Sequence, residues 1–259
     1  EQNLISLAAG LTLGGKKVIT YGISSFLIHR SRAQIRHDLC IMNLPVIIVG
    51  SGPGVVYDYD GPCHHAIEDI ATMRCLPGLN IFSPCDQTSA VSSATSALDS
   101  KSPSYVRLDK GKYSNLYLDK EKESSEFAAL KEGNDILFIT TGIMSHNIAQ
   151  VISELSKKGI SCGHIDIVKI HPINEEKLCS EMKKYKAIIT AEEHLLQGGL
   201  GSIISECAID NNLMIPIKRF GFRDEYRNIR GSRFYLHKEY GIDPQNIVSK
   251  TIEWYKLYS

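Results

Sequence analysis

Several features are missing from this sequence, and each omission excludes a class of protein. No uninterrupted apolar run reaches the roughly 18 residues that a membrane-spanning helix needs. Neither sign of charge is in excess, because 29 Lys and Arg balance 29 Asp and Glu, so the composition indicates no nucleic-acid or membrane partner. The seven cysteines are scattered without a CxxC pair, which predicts reduced thiols in a cytoplasmic protein rather than a disulfide framework.

The common glycine-rich nucleotide motifs and a zinc pattern are missing too. Gly50-Ser-Gly-Pro-Gly54 follows a buried apolar run, but it is neither a GxGxxG helix opener nor a GxxxxGKS/T phosphate loop. Cys63-His64-His65 has no second ligand pair at zinc spacing, which argues against a zinc site. What remains is a chain of 259 residues, 43% apolar and 22% charged, with the composition of a soluble globular protein and the length for two domains.

Short apolar runs alternate with helical patterns along the chain, which predicts an α/β fold. This alternation is typical of a parallel sheet with right-handed crossovers, and it restarts after a charged stretch. We therefore expect two consecutive domains, each a mainly parallel sheet flanked by helices. The predicted bounds are 1–118 for the first domain, 119–130 for a charged linker and 131–259 for the second domain. The first residues, 2–13, already form a helical pattern, so we expect upstream elements of the first domain to be missing.

The polar residues of the first domain concentrate between 58 and 69. A turn at Gly61-Pro62 separates Asp60 from His64 and His65, and a helix is predicted at 66–74. Polar groups at the start of a helix suit an anionic or polyhydroxy ligand. They are equally typical of turn caps at the surface, and the stretch alone does not decide between the two.

Two charged features of the second domain have structural interpretations. Glu192-Glu193-His194 ends a predicted strand before a glycine-rich helix start. It could serve acid–base chemistry, but we favour an N-cap anion site or a contact between subunits. The arginine-rich segment 219–233 is interpreted as a solvated or inter-subunit face rather than a phosphate site.

A series of short motifs carries a family resemblance. In order, they are Glu1-Gln2, Ala8-Ala9-Gly10-Leu11, Ser25-Phe26-Leu27, Asp60-Gly61-Pro62 with His64, Pro84-x-Asp86 and Glu192-Glu-His-x-x-x-Gly-Gly-Leu-Gly201. Together they resemble the pyrimidine-binding and C-terminal domains of the transketolase family, which includes deoxyxylulose-phosphate synthase. The likeness spans essentially the whole chain. It covers the carboxyl half of a full transketolase, without the diphosphate-binding domain and its Gly-Asp-Gly and Asn metal motif.

The resemblance implies roles in binding thiamine diphosphate. Glu1 matches the glutamate that hydrogen-bonds the aminopyrimidine ring and so promotes loss of the thiazolium proton. Phe26 matches an aromatic residue that packs on the pyrimidine face. Beyond Phe26 the chain has one extra residue, so either His29 or Arg30 is expected to supply a basic contact.

On the substrate side, Asp60 and His64 match residues that hydrogen-bond sugar hydroxyls, and His64 is also expected to act in catalysis. Three departures from the family lie nearby. Cys63 replaces a Thr beside the donor sugar, Gly52 replaces a His or Arg, and Lys110 replaces a phosphate-binding Arg. A Lys binds phosphate as a point charge without the bidentate fork of Arg. The departures predict an acceptor other than the ordinary pentose phosphate, one that is modified or unphosphorylated.

The resemblance implies thiamine diphosphate-dependent transfer of a two-carbon ketol unit between a ketose and an aldose. The chain would be the C-terminal subunit of a split enzyme. A partner subunit would hold the diphosphate and Mg²⁺ (or Ca²⁺), this chain would hold no metal, and an α2β2 assembly is expected. Alternatives are a deoxyxylulose-phosphate-synthase-like or 2-oxo-acid-decarboxylating enzyme, and a non-catalytic scaffold or regulatory paralogue. Pro62 favours transketolase, because the synthases carry Gln there.

Overall fold

The computed structural model describes residues 1–117 and 126–258. In the first range the elements are α1 Gln2–Leu13, β1 Ile19–Ile23, α2 Ser24–Gln34 continued by a π-helix Ile35–Ile41, β2 Ile47–Ser51, α3 Asp69–Arg74, β3 Asn80–Phe82, α4 Gln87–Asp99 and β4 Ser104–Leu108. In the second they are β5 Phe127–Lys131, β6 Ile136–Thr140, α5 Met144–Ser156, β7 Cys162–Ile167, β8 Lys169–His171, α6 Glu175–Met182, β9 Ala187–Leu195, α7 Leu200–Asp210, β10 Ile217–Phe222, α8 Arg233–Tyr240 and α9 Pro244–Tyr255.

The strands form two five-stranded sheets, ordered β1-β2-β4-β3-β8 and β10-β9-β6-β7-β5. Within each sheet four strands are parallel, and one edge strand, β8 or β5, runs antiparallel. Helices flank both sheets, so the predicted α/β class with two mainly parallel sheets is confirmed. Because parallel strands end at the same edge, the first sheet delivers the ends of β2 and β4 side by side.

Two edge strands escaped prediction, and one of them begins inside the expected linker. The linker was expected at 119–130, but β5 begins at Phe127 and pairs with β7; residues 118–125 lie outside the described residues. Strand β8 follows β7 in the chain but pairs with β3 of the first sheet, where His171 lies opposite Ile81. Strand β8 has only three residues, which is too few for periodicity to identify it from sequence. The exact domain bounds stay a prediction.

The helix predicted at 66–74 begins later, at Asp69. Ala66 instead forms an isolated bridge with Gly54, in which each backbone N–H donates to the other residue's carbonyl, at 2.8 and 2.9 Å. The bridge closes a loop of residues 55–65 at the carboxyl end of β2. The polar residues that the sequence concentrates between 58 and 65 are therefore held at this edge of the sheet.

The two halves share a large buried apolar cluster. Ile48 and Leu79 from the first half and Leu137 and Ile188 from the second belong to the same buried cluster. Together with β8, this cluster fixes the second half against the first. None of the described helices is both long and apolar enough to cross a membrane.

Candidate functional site

Four predicted site residues lie in a continuous row beside the 55–65 loop. The carboxylate of Glu1 is 3.5 Å from the Arg30 guanidinium. Arg30 lies over the Phe26 ring, with Cζ 5.6 Å from its centroid, and the edge of that ring meets His64 at a centroid distance of 5.0 Å. Helix α2 carries Phe26 and Arg30 on successive turns of one face, which is why they stack.

A cavity of about 450 Å³ opens beside this row. Its lining is Ser25, Phe26, His29, Arg30, Pro62, Cys63, His65, Glu68 and Tyr226. Ser25 is 4% exposed, and its hydroxyl has no hydrogen-bond partner within residues 1–117 and 126–258. Buried hydroxyls are nearly always bonded, so this one fits a ligand with polar ring atoms. An aromatic face, a basic group and a free hydroxyl together suit a flat heterocycle such as an aminopyrimidine.

The structure distinguishes the two basic residues that the sequence left open. Arg30 contacts both Glu1 and Phe26. His29 faces the other way, with Nε2 3.5 Å from a carboxylate oxygen of Glu68. Both line the cavity, but only Arg30 touches the predicted cofactor residues.

The 57–64 turn presents the predicted sugar-binding side chains. The Asp60 N–H donates to the Tyr57 carbonyl at 3.1 Å, and the Cys63 Sγ lies 3.2 Å from His64 Nδ1. Cys63 is therefore in contact with the ring expected to act on the substrate. The Asp60 carboxylate is exposed and forms no ion pair within the described ranges. Asp60 and His64 are thus presented from the two ends of one short turn.

Tyr57, which sequence reasoning missed, occupies the space that a side chain at position 52 would need. A β-carbon on Gly52 would collide with the Tyr57 ring. The same ring carries Lys110 on one face, with Nζ 4.4 Å from the centroid, and lies 5.9 Å from the His64 ring. Tyr57 therefore lies between Lys110 and His64. Its ring fills the space that the His or Arg side chain expected at position 52 would occupy.

Replacing Gly52 with Ala is expected to lower the free energy of unfolding by about 1–3 kcal/mol. The backbone at Gly52 has φ of +76°, which a side chain tolerates poorly, and Tyr57 would have to move. Urea denaturation of the two proteins measures the difference. Gly10→Ala is the matched control, because Gly10 lies inside helix α1 with open space around it and should gain about 0.5–1 kcal/mol. A neutral Gly52→Ala would contradict the placement of Tyr57.

Glu192 and Glu193 have structural roles, as favoured from the sequence. Glu192 accepts hydrogen bonds from the N–H groups of Leu200 and Gly201, at 2.6 and 2.9 Å, and so caps helix α7. Burial alone would raise the pKa of Glu193, but the Arg233 guanidinium and His237 hold it at about 2. Glu193 is therefore ionised at neutral pH and is no proton donor.

Arg233 is an exception to the prediction that segment 219–233 is a solvated or inter-subunit face, whereas Arg219, Arg223 and Arg230 are exposed. The Arg233 side chain is only 17% exposed and forms ion pairs with Glu193 and with Asp109 at the end of β4. Its backbone N–H donates to the Asp58 carboxylate at 2.8 Å. Arg233 of the second half thus binds the 55–65 loop through Asp58 and the chain that follows β4 through Asp109. No signal in the sequence distinguishes Arg233 from the other arginines of segment 219–233.

A fully buried ion pair lies beneath the site. The Arg107 guanidinium on β4 binds both carboxylate oxygens of Asp69, at 2.7 and 3.0 Å, and the Tyr105 hydroxyl donates to the same carboxylate. These bonds anchor the start of α3, and with it the end of the 55–65 loop, to the first sheet. Among the described residues, no group of three or more His, Cys, Asp or Glu could hold a metal ion.

Two family models match the chain. Residues 1–115 match the model described as "Transketolase, pyrimidine binding domain", and residues 125–247 match "Transketolase, C-terminal domain".

Several relatives align over nearly the whole chain. One subunit of an apulose-4-phosphate transketolase of Actinobacillus succinogenes is 32% identical over 96% of this chain and 80% of its own length. The 6-deoxy-6-sulfo-D-fructose transketolase subunit SqwH of a Clostridium species is 30% identical over 96% of this chain and 77% of its own length. A 1-deoxy-D-xylulose-5-phosphate synthase of Geobacter sulfurreducens is 32% identical over 97% of this chain but only 40% of its own length.

A solved structure described as a split gene transketolase, inactive β4 tetramer, superposes with a TM-score of 0.89 at 28% identity. The match covers 100% of this chain and 83% of that one.

Proposed function

The chain belongs to the transketolase family, and we propose that it is the C-terminal subunit of a split enzyme that transfers a two-carbon ketol unit from a ketose to an aldose. The family's members are thiamine diphosphate enzymes. The observation that carries the proposal is the row formed by Glu1, Arg30, Phe26 and His64 beside an open cavity.

In this proposal each residue of the row has one task. Glu1 holds a proton against the aminopyrimidine ring nitrogen, and Arg30 positions the Glu1 carboxylate from 3.5 Å. Phe26 packs on the face of the ring. When bound, thiamine diphosphate would supply the nucleophilic carbon and the electron sink that cleavage of a carbon–carbon bond requires.

Asp60 and His64 are proposed to orient the sugar by hydrogen bonds to its hydroxyls. Their positions at the two ends of one turn allow them to bind different hydroxyls of an extended sugar. His64 also lies against Phe26, so it is close enough to the cofactor site to move a proton on the transferred unit. Cys63 contacts His64 from the side and Lys110 faces the same turn through Tyr57.

The proposed partner carries the diphosphate-binding domain, with Mg²⁺ or Ca²⁺, in an α2β2 assembly. The first half exposes large apolar side chains on α1 and on the edge strand β1, where monomeric proteins normally avoid them. They are Leu4, Leu7, Leu11, Leu13, Ile19 and Tyr21, which are 37–65% exposed. Two further observations support a need for a second subunit. Three relatives are named as subunits of a transketolase, and one structural neighbour is described as an inactive tetramer.

Reconstitution tests the proposal. The chain is co-expressed with a protein of the same genome that carries a Gly-Asp-Gly and Asn motif, and ketol transfer from a ketose to an aldose is followed. We expect activity only in the complex, and only with thiamine diphosphate and a divalent cation. A stable complex that binds the cofactor without transferring the unit would count against the proposal.

A second candidate is a decarboxylating activity like that of deoxyxylulose-phosphate synthase, favoured by the 32% identical synthase from Geobacter. Carbon dioxide release from pyruvate by the same complex would distinguish it from ketol transfer. A complex in which neither reaction occurs and the cofactor does not bind would indicate a scaffold or regulatory paralogue.

We also propose a cytoplasmic location. All seven cysteines are free thiols, including Cys179 and Cys207, whose sulfur atoms are 3.2 Å apart. Unpaired thiols at this distance are typical of a reducing compartment.

A further inference from the structure

A loop from the second half returns to the sugar-binding turn and is fixed there by its backbone. The Gly231 N–H donates to the Asp58 carbonyl at 3.4 Å, and the Arg233 N–H donates to the Asp58 carboxylate at 2.8 Å. Both bonds lie within three residues of Arg230 in the chain. The backbone that carries Arg230 is therefore held against the turn.

The Arg230 guanidinium packs directly on this turn. A β-carbon on Gly61 would lie 3.1 Å from Arg230 Nε and 3.8 Å from Cζ, so the glycine permits the close approach. Gly61 has φ of +86°, which also favours glycine. The guanidinium therefore lies against Gly61, in the turn that leads to His64.

Arg230 has no charged or hydrogen-bonding partner among the residues that the structure describes. Nearby Arg227, by contrast, pairs with Glu225, and Arg233 pairs with Glu193. Lys110 is similar to Arg230: it is exposed, and its contact is the face of the Tyr57 ring. Within the described ranges, two cations without acidic partners thus contact the 57–64 turn, Lys110 at Tyr57 and Arg230 at Gly61.

We propose that Arg230 is a specificity-determining residue that binds a tetrahedral oxyanion, a phosphate or a sulfonate, carried by the sugar substrate. This inference rests on the proposed function. An arginine presents the planar fork that Lys110 lacks, and the exposed Arg230 guanidinium, which no acid of the described residues engages, is free to bind such a group in two-point geometry. In this inference Arg230 supplies the two-point contact that Lys110 cannot make, so the acceptor carries an oxyanion although position 110 is a lysine.

Steady-state kinetics of the reconstituted complex tests the assignment. Arg230→Gln is compared with Arg230→Lys and with Arg223→Gln, a control at an exposed arginine of the same segment. For a phosphorylated aldose, KM should rise about 10- to 100-fold in Arg230→Gln, less in Arg230→Lys and not in the control. Both kcat and KM for the unphosphorylated aldose should stay within about two-fold. A sulfonated sugar identifies which oxyanion the residue prefers.

A binding measurement separates this inference from the proposed function. Inorganic phosphate should raise the Tm of the complex, and Arg230→Gln should remove most of that shift. If the complex transfers no ketol unit but phosphate protection still depends on Arg230, the proposed function fails and the inference stands. If Arg230→Gln leaves the KM for the phosphorylated aldose unchanged, or impairs only assembly with the partner, the inference is overturned.

Discussion

Glu1→Gln in the reconstituted complex is expected to lower kcat by about 100- to 10,000-fold. The amide keeps the shape of the side chain but cannot hold the proton that activates the aminopyrimidine ring. Its contact with Arg30 also loses its charge. The Kd for thiamine diphosphate should change by only a few-fold, because in the proposed complex the partner subunit would hold the diphosphate. Turnover and cofactor titration on the same preparation give both values.

Glu253→Gln is the control for this experiment, since Glu253 is an exposed residue of helix α9 and forms no ion pair within the described residues. It should leave kcat within about two-fold of the parent protein. Full turnover in Glu1→Gln would contradict the proposal that Glu1 activates the aminopyrimidine ring. It would favour a subunit in which the fold is retained for assembly rather than for chemistry.

Asp69→Asn is expected to lower the free energy of unfolding by about 3–5 kcal/mol. The change leaves the Arg107 guanidinium, which is 4% exposed, without its counter-charge in the interior. Arg107→Met should cost a similar amount, and the double variant should lose less than the sum because neither charge remains. Guanidinium chloride denaturation measures all three. Glu154→Gln is the control: it breaks the exposed pair with Lys157 and should cost less than about 1 kcal/mol.

The same pair predicts how stability depends on pH. Burial by itself raises the pKa of Asp69, but the adjacent Arg107 guanidinium outweighs it and holds the pKa below its ordinary value. A lowered carboxyl pKa contributes stability above the unfolded-state value, and this stability is lost as pH falls through the native value. Wild-type protein should therefore lose stability more steeply than Asp69→Asn below about pH 4. If the free energy of unfolding falls equally steeply with decreasing pH in the two proteins, Asp69 and Arg107 do not form an ionised pair.

Much of the fold was predictable because its signals are local. Continuous apolar runs identify β2 and β6 as buried parallel strands, and Asp86 and Pro244 mark the starts of helices α4 and α9. The predictions failed where tertiary contacts decide. Strand β8 has three residues and forms only because the first sheet offers an edge beside β3.

Periodicity and short motifs, which are properties of neighbouring residues, establish the α/β class, the order of two similar halves and a set of residues whose spacing resembles one enzyme family. Three features required the folded chain: Tyr57 fills the space at Gly52, Arg233 is buried in ion pairs while Arg230 meets no acid of the described residues, and both arginines reach the loop after β2. Packing and charge pairing join residues that are distant in the chain, so no local pattern reveals them. Which of several similar arginines meets an acid is set by the fold.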